Sequence, residues 1–329
     1  MCSTGFAVIH PEGPLNPQFL RHLPFCEQVT RQLVAWQCGT NYPAVNETDI
    51  LRLRIPLPSE EEQAAISGIL DAVGEAIEQV ERAANSARQA KRALLQSLLS
   101  HGMRGERQRK CAVGWIPKSW EVTEVKSVVR EFQYGMSVPM QTAGTLPILR
   151  MGNIQSGDVL LFDLKYVTLP DRLTEPYLLR RGDVLFNRTN SQELVGKVGI
   201  YRHDEPCVFA SYLIRLKPDA ERVDNYYLGQ LLDSYDAQCR IKRYATPGVQ
   251  QVNINATNLG KVLIPVPTGK TGLDEQREIA AILEQADETI RAFGPKLKAL
   301  HDLKKSLLHD LLTGAVRVKA SFSKVAEAV

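Results

Sequence analysis

Asn46-Glu-Thr-Asp-Ile-Leu-Arg-Leu-Arg-Ile-Pro-Leu-Pro58 lines up with Asn255-Ala-Thr-Asn-Leu-Gly-Lys-Val-Leu-Ile-Pro-Val-Pro267 at a constant offset of 209. Four extra residues in the second copy then move the offset to 213. There Glu62-Gln63-Ala-Ala-Ile66 matches Glu275-Gln276-Arg-Glu-Ile279, and the match runs on to Arg104 against Arg317. A likeness sustained over more than fifty residues is an internal duplication, and its period sets the architecture. Each copy places a short extended run ending in Ile-Pro-x-Pro before a long helix, because the prolines forbid helix across the junction.

In the first helix Ile66, Leu70, Val73, Ile77, Val80, Ala84, Ala87, Lys91, Leu94 and Leu98 recur at alternating four- and three-residue steps. In the second, Ile279, Leu283, Ala286, Ile290, Phe293, Leu297, Leu300, Lys304, Leu307 and Leu311 do the same. The spacing predicts a coiled-coil seam of more than four heptads. Two amphipathic helices, each packed on its own domain, are the plainer alternative. Matched length, matched phase and a shared lysine exception favour the seam.

The lysines also give direction. Parallel pairing would bury Lys91 against Lys304, a like-charge contact that costs stability. Antiparallel pairing sets Lys91 opposite Ala286 and Lys304 opposite Val73, small residues past which a lysine stem can reach solvent. Gly294-Pro295 interrupts the second helix and predicts a kink there.

The chain has 329 residues, 44% of them hydrophobic and 23% charged, which suits a globular protein of about two domains. No apolar run is long enough for a bilayer span and Met1 opens no secretory signal, so the cytoplasm is the expected location. Cys2, Cys26, Cys38, Cys111, Cys207 and Cys239 show no CxxC or zinc-site spacing and read as reduced thiols. A net charge of +3 neither announces nor excludes a nucleic-acid partner.

Between the helices, from Gly114 to Pro267, the texture changes. Short β-rich runs stand at Glu121 to Val125, Pro147 to Met151, Asp158 to Phe162, Asp183 to Phe186, Lys197 to Tyr201 and Tyr212 to Leu216, and a helical stretch follows at Asn225 to Ile241. The segment reads as an α+β domain with a curved β-sheet.

These residues resemble a known family. The opening Gly114-Trp-Ile-Pro…Trp120-Glu121, the run Arg181-Gly-Asp-Val-Leu-Phe-Asn-Arg188 leading to Val195-Gly-Lys197, and Val252-Asn-Ile-Asn255 before Ile264-Pro-Val-Pro267 and Glu275-Gln276 are similar to the specificity subunit of type I restriction-modification systems. So is the repeated heptad helix. The resemblance implies target recognition domains held apart by an antiparallel coiled coil, each reading half of a bipartite site in double-stranded DNA. It implies a non-catalytic role in defence against foreign DNA. Methylation and cleavage would fall to methyltransferase and restriction subunits, which bring S-adenosylmethionine, ATP and Mg, with no cofactor held by this chain.

The resemblance divides the chain into the remnant of a first recognition domain (residues 1–58), a first helix (59–104), a connector (105–113), a complete recognition domain (114–267), a second helix (268–317) and a tail (318–329). Only 45 residues precede Asn46, whereas 141 lie from Gly114 up to Asn255, so the first domain is expected to be cut short at its N-terminus. Phe6 to Pro11 correspond loosely to Leu213 to Pro218. A disrupted gene, a misplaced start codon and a half-subunit that pairs with a second copy all fit. A scaffold that binds the methyltransferase through its helices without reading a site is the rival function.

Asn187-Arg-Thr-Asn-Ser-Gln192 is dense in groups that meet base edges, since arginine grips guanine in a fork and Asn or Gln does so with adenine. A solvated polar turn is the plainer reading of the same residues. The candidate DNA-binding residues are Gln133 and Tyr134 in the loop 132–137, Arg150 and Asn153 at a strand end, then Arg188, Asn190, Ser191, Gln192 and Lys197, with Gln250 and Gln251 after Gly248. Gly135 and Gly248 permit close backbone approach. Arg240, Lys242 and Arg243 are assigned to phosphates. From Gly114 to Pro267 the net charge is only +2, while Arg88, Lys91, Arg92, Arg104, Arg107, Arg109 and Lys110 cluster near the end of the first helix.

From Ile66 to Leu98 is 32 steps, about 48 Å at roughly 1.5 Å each, over a turn of duplex. Deleting one heptad from both helices is therefore expected to shorten the gap of the bound DNA target. An unchanged gap in a selection of bound sequences would refute the helix as ruler.

Catalytic motifs do not assemble. Gly269-Lys270-Thr271 lacks the first glycine of a phosphate loop, because Ile264 stands there. Asn16-Pro17-Gln18-Phe19 departs from the adenine-methyltransferase motif at its third residue. Glu124-Val125-Lys126 has no upstream acid partner, and His203-Asp204 no nucleophile elbow.

Overall fold

A computed structural model describes residues 7–39, 43–248 and 251–318. The duplicated sequence gives the same order of helices twice, although its Ile-Pro-x-Pro run is a paired strand only in the second copy. In the first copy, helices α1 (Pro17–Leu20), α2 (Glu27–Ala35) and α3 (Glu47–Leu51) precede the long α4 (Glu60–His101). In the second, after the short α5 (Asp171–Thr174), helices α6 (Asn225–Asp233), α7 (Tyr235–Lys242) and α8 (Ala256–Gly260) precede α9 (Gly272–Leu312). Among the described residues no helix is long and apolar enough to cross a membrane.

One side chain shows how deep the duplication goes. Gln63 and Gln276 are both fully buried at the start of the long helices. Gln63 donates to the carbonyls of Pro14 and Pro58 and accepts from Asn16 N. Gln276 donates to the carbonyls of Arg222 and Pro267 and accepts from Asp224 N. Asn16 and Asp224 in turn cap α1 and α6. A buried amide is stable only with its partners in place, so the same glutamine ties helix, Ile-Pro-x-Pro run and capping turn together in both copies.

Two compact units emerge, residues 1–87 with 289–329, and residues 88–288. The boundary falls inside α4 and α9, so each long helix contributes to both units, where the sequence had suggested helices separate from the domains. Within the first unit Ile66, Leu70, Leu311 and Leu312 pack with Phe19, Leu23 and Val29. Arg317 reaches Glu62 with both arms of its fork, at 2.7 and 2.6 Å, and holds the Glu62 carboxyl below its ordinary range. Lys304 lies beside Gly74, within 3.7 Å of where a side chain would begin. Pairings of 62 with 317 and 74 with 304 run antiparallel, the direction inferred from the lysines. α9 continues through Pro295, which is housed inside the helix rather than ending it.

In the second unit the helices pair antiparallel in the same register. Gly102, at a positive φ of 64°, ends α4, and Met103 N donates to Glu275 at the start of α9. Lys91 meets Asp287 at 2.6 Å, both side chains nearly buried. The sequence placed Lys91 opposite small residues with its charge in solvent; the neighbouring Asp287 pairs with it instead. By the repeat Asp287 aligns with Gly74, so the first copy lacks this acid. Near the end of α4 the expected Leu94 is exposed, while Leu95 joins the expected Leu98 in the core of the second unit.

That core lies between helices and a six-stranded sheet. The strand order is Val129–Tyr134, Leu213–Pro218, Val184–Asn187, Val198–Ile200, Gly157–Val159 and Ile154–Gln155. A register shift at Lys217/Pro218 bends the edge pair. The strand Glu121–Glu124 pairs with Leu263–Val266, so the segment closes on itself beside α9. Trp120 and Tyr227 meet edge-on in the middle. Of residues 132–137, expected as a loop, 132–134 form the end of the Val129–Tyr134 strand because Leu213–Pro218 offers them a ladder, and 135–137 lie beyond it. Of the expected connector, residues 105–113, Gln108–Cys111 forms the first strand of a hairpin whose second strand is Gly114–Pro117.

An acid-rich cluster joins sheet and helices here. Arg202 forks onto Glu284 at 2.6 and 2.7 Å and reaches Asp158 at 2.5 Å, and Gln230 donates to Asp287 at 2.5 Å. Beside them burial pushes the Asp233 carboxyl up to about 7, helped by Asp287 and Asp158 and opposed by Lys91 and Arg92. A carboxyl raised on folding binds its proton more tightly in the native state. Stability is therefore greatest below the unfolded value, near 4, and falls as pH rises to about 7. Asp233→Asn should remove this loss. Its gain over the parent in urea midpoints should grow from pH 5 to pH 8, to on the order of 2 kcal/mol after allowance for partial exposure. A pH-independent difference would contradict the assignment.

Candidate nucleic-acid interface

Strand Val184–Asn187 leaves the main sheet into Arg188, whose N–H donates to Tyr212 O at 3.0 Å and whose carbonyl accepts from Ile254 N at 2.9 Å. The chain then starts a second sheet. Thr189–Asn190 pairs with Val252–Asn253, which pairs on its other side with Thr246–Pro247. The segment 187–192 nominated from the sequence thus becomes the neighbour of the strand that follows Gln251. Thr189 Oγ1 donates to Asn253 Oδ1 at 2.6 Å and fixes the register. Gly248 N donates to Gln251 O at 2.8 Å, and a Cβ at Gly248 would fall 2.7 Å from that oxygen, so this approach requires glycine.

On this platform the Arg188 guanidinium lies 5.3 Å from the Tyr134 ring centre. The Tyr134 hydroxyl accepts from Ala256 N at 3.0 Å, which fixes the ring. Stacking on the ring orients the guanidinium, and Arg188 Nε is buried without a hydrogen-bond partner. Asn190 accepts from Ser191 N at 2.9 Å through its side-chain oxygen, and among the described residues its amide nitrogen has no partner. Ser191, Gln192 and Gln251 are exposed, and Lys197 is half-buried. Lys242 donates to Glu193 O at 2.8 Å and braces the loop, while Arg243 is exposed. Gln250 lies outside the described residues.

Other candidates serve the fold. Gln133 faces away from Tyr134, as alternation along a strand requires, and accepts from the buried Arg215 while donating to Pro176 O. Arg150 is engaged by Asp163 at 2.8 Å. Asn153, buried, accepts from Arg150 N and donates to the carbonyls of Leu160 and Phe162, so its base-pairing edge is fully used inside the protein. Arg240 donates to Leu263 O at 3.1 Å beside a cavity of about 490 Å³ lined also by Trp115, His101 and Asp236, and burial lowers its pKa from the ordinary value. The close approach at Gly135 is to the Ala210 backbone within the domain. Thr189 and Asn253, which set the platform, were not singled out by the sequence; two small polar residues 64 apart carry no local signal of their pairing. Among the described residues no group of three His, Cys, Asp or Glu side chains could hold a metal ion.

Comparison with known proteins bears on this arrangement. The family model for the type I restriction modification DNA specificity domain matches residues 117–299. A putative type I restriction enzyme MjaX specificity subunit from Methanocaldococcus jannaschii is 32% identical over 67% of this chain and 51% of its own length. The type I restriction enzyme MjaVIII specificity subunit of the same organism is 26% identical over 85% of this chain and 66% of its own. The chain thus spans about half to two thirds of these relatives. A crystal structure of a type I restriction-modification S subunit from M. genitalium superposes with a TM-score of 0.58 over 91% of this chain and 73% of that one, at 15% identity, a likeness of fold.

Proposed function

The chain belongs to the type I restriction modification DNA specificity domain family, and from that premise we propose that it is the DNA-reading, non-catalytic subunit of a type I restriction-modification complex. The observation that carries the reading is the second sheet. It pairs Thr189–Asn190 with Val252–Asn253, so that Arg188, Asn190, Ser191, Gln192 and Gln251 lie in or next to its strands along the chain, with the Arg188 guanidinium over the Tyr134 ring. A fork of this kind matches the two acceptors on the major-groove edge of guanine, and the exposed amides match adenine. The paired helices join this domain to the methyltransferase subunits, which methylate, and the restriction subunit, which cleaves.

One such sheet reads one half-site. A bipartite, gapped target therefore takes a second reading domain. The test is reconstitution with the methyltransferase subunits, followed by selection of bound duplexes from a random pool. A gapped, bipartite motif is expected. Assembly without any enriched sequence would favour the scaffold and refute recognition.

A further inference from the structure

The turn after α4 and the hairpin beyond it carry charge that the recognition platform does not use. Between Arg104 and Lys118 stand five cations and one acid, a net of +4 in fifteen residues, against +2 for the whole of Gly114 to Pro267. Lys118 N donates to Arg107 O at 2.9 Å, so these two residues stand side by side at the open end of the hairpin. Lys110 is paired across the strands with Trp115, itself 55% exposed. Arg109 alone is committed, donating to Trp120 O at 2.7 Å. Arg104, Arg107, Lys110 and Lys118 are exposed, and none has an ion pair or side-chain hydrogen bond among the described residues.

The duplication shows that this freedom is not forced by the fold. Arg104 aligns with Arg317, which spends its fork on Glu62. The acid that aligns with Glu62 is Glu275, and it accepts from Met103 N instead. Neutralising the end of α4 does not explain the cluster either, because a helix dipole acts within its last turn and Arg107 to Lys118 lie beyond Gly105. Three residues of strand from Arg107 to Lys110 cover about 10 Å, a length of duplex that carries about six phosphates.

We propose that the hairpin Gln108–Cys111 with Gly114–Pro117, and the turn before it, form a second, sequence-independent contact with the DNA backbone. Arg104, Arg107, Lys110 and Lys118 meet phosphates, and Trp115 covers the adjoining sugar. The inference rests on the reading of the chain as a DNA-recognition subunit and adds a grip distinct from the Arg188 platform.

The test uses the full chain and a fluorescently labelled random-sequence duplex, with affinity measured between about 50 and 200 mM salt. The triple variant Arg107→Gln, Lys110→Gln, Lys118→Gln should reduce the slope of log affinity against log salt by about two to three, since each phosphate contact contributes about 0.9. Emission lost on Trp115→Phe should be the part that duplex quenches in the parent. An unchanged slope with an unquenched Trp115 overturns the hairpin contact. A variant that keeps the parent slope but no longer assembles with the methyltransferase subunit also overturns it, assigning the hairpin to a protein partner. Arg188→Ala, which should alter sequence choice and not this slope, reports separately on the recognition reading.

Discussion

Replacing Arg188 by alanine is expected to lower affinity for the selected duplex by about 10- to 100-fold and to relax the preference at one base pair. Affinity for random duplex should stay within about twofold, because one charge among many phosphate contacts changes non-specific binding little. The expectation follows from how the residue is held. Its backbone is bonded on both sides, to Tyr212 O and from Ile254 N, and its guanidinium lies on the Tyr134 ring. A side chain oriented before binding loses little freedom on meeting a base, so the contact keeps most of its free energy. Arg188→Lys should lose nearly as much discrimination as alanine, since an ammonium keeps the charge and forfeits the fork. Competition binding of the reconstituted complex against singly substituted duplexes measures both variants. Equal discrimination by parent and Arg188→Ala would remove this residue from the reading machinery.

Asp287→Ala should destabilise the second unit by about 3–5 kcal/mol, the cost of leaving a buried charge without its partner. Asp287 is 6% exposed, accepts from Gln230 at 2.5 Å and pairs with Lys91 at 2.6 Å, with Arg202 at 3.7 Å. Its loss strands Lys91 inside the helix pair. Lys91→Met together with Asp287→Leu should recover much of the stability, because well-packed apolar residues can replace a buried ion pair at little cost. Urea unfolding followed by tryptophan emission decides between these outcomes. If the single change cost no more than about 1 kcal/mol, the pair would behave as a surface contact and the buried reading would fail.

The helices were legible because their signal is local and repeated. A seam of apolar residues at heptad spacing, with Lys91 and Lys304 in matching places, implied both the pairing and its antiparallel direction. What escaped was the partner of Lys91, since a shift of one residue from Ala286 to Asp287 lies below the resolution of a periodic pattern. The segment from Gly114 to Pro267 was legible as α+β but not in its pairings. Thr189–Asn190 meets Val252–Asn253 across more than sixty residues, and such non-local ladders leave no periodic trace. For the same reason Asn153 and Asn190 looked alike from sequence. Both are asparagines beside strand ends, yet one is buried with its amide spent on Leu160 and Phe162, and the other keeps its amide nitrogen at the platform. Gln133 differs from its neighbour Tyr134 only in the face of the strand it occupies.

The two proposals divide the labour between the exposed cations from Arg104 to Lys118 and the Arg188 sheet: phosphate contacts for affinity and salt dependence, base contacts for choice of sequence. A small net charge is compatible with both, because neither depends on the charge of the whole chain.

The measurement that bears most directly on this account is methylome sequencing of cells carrying the gene, lacking it, or carrying Arg188→Ala in its place. A gapped methylation motif that disappears with the gene, returns with the parent sequence and changes or fails with Arg188→Ala is the expected result. A motif that persists without the gene, or that Arg188→Ala restores unaltered, would contradict the account.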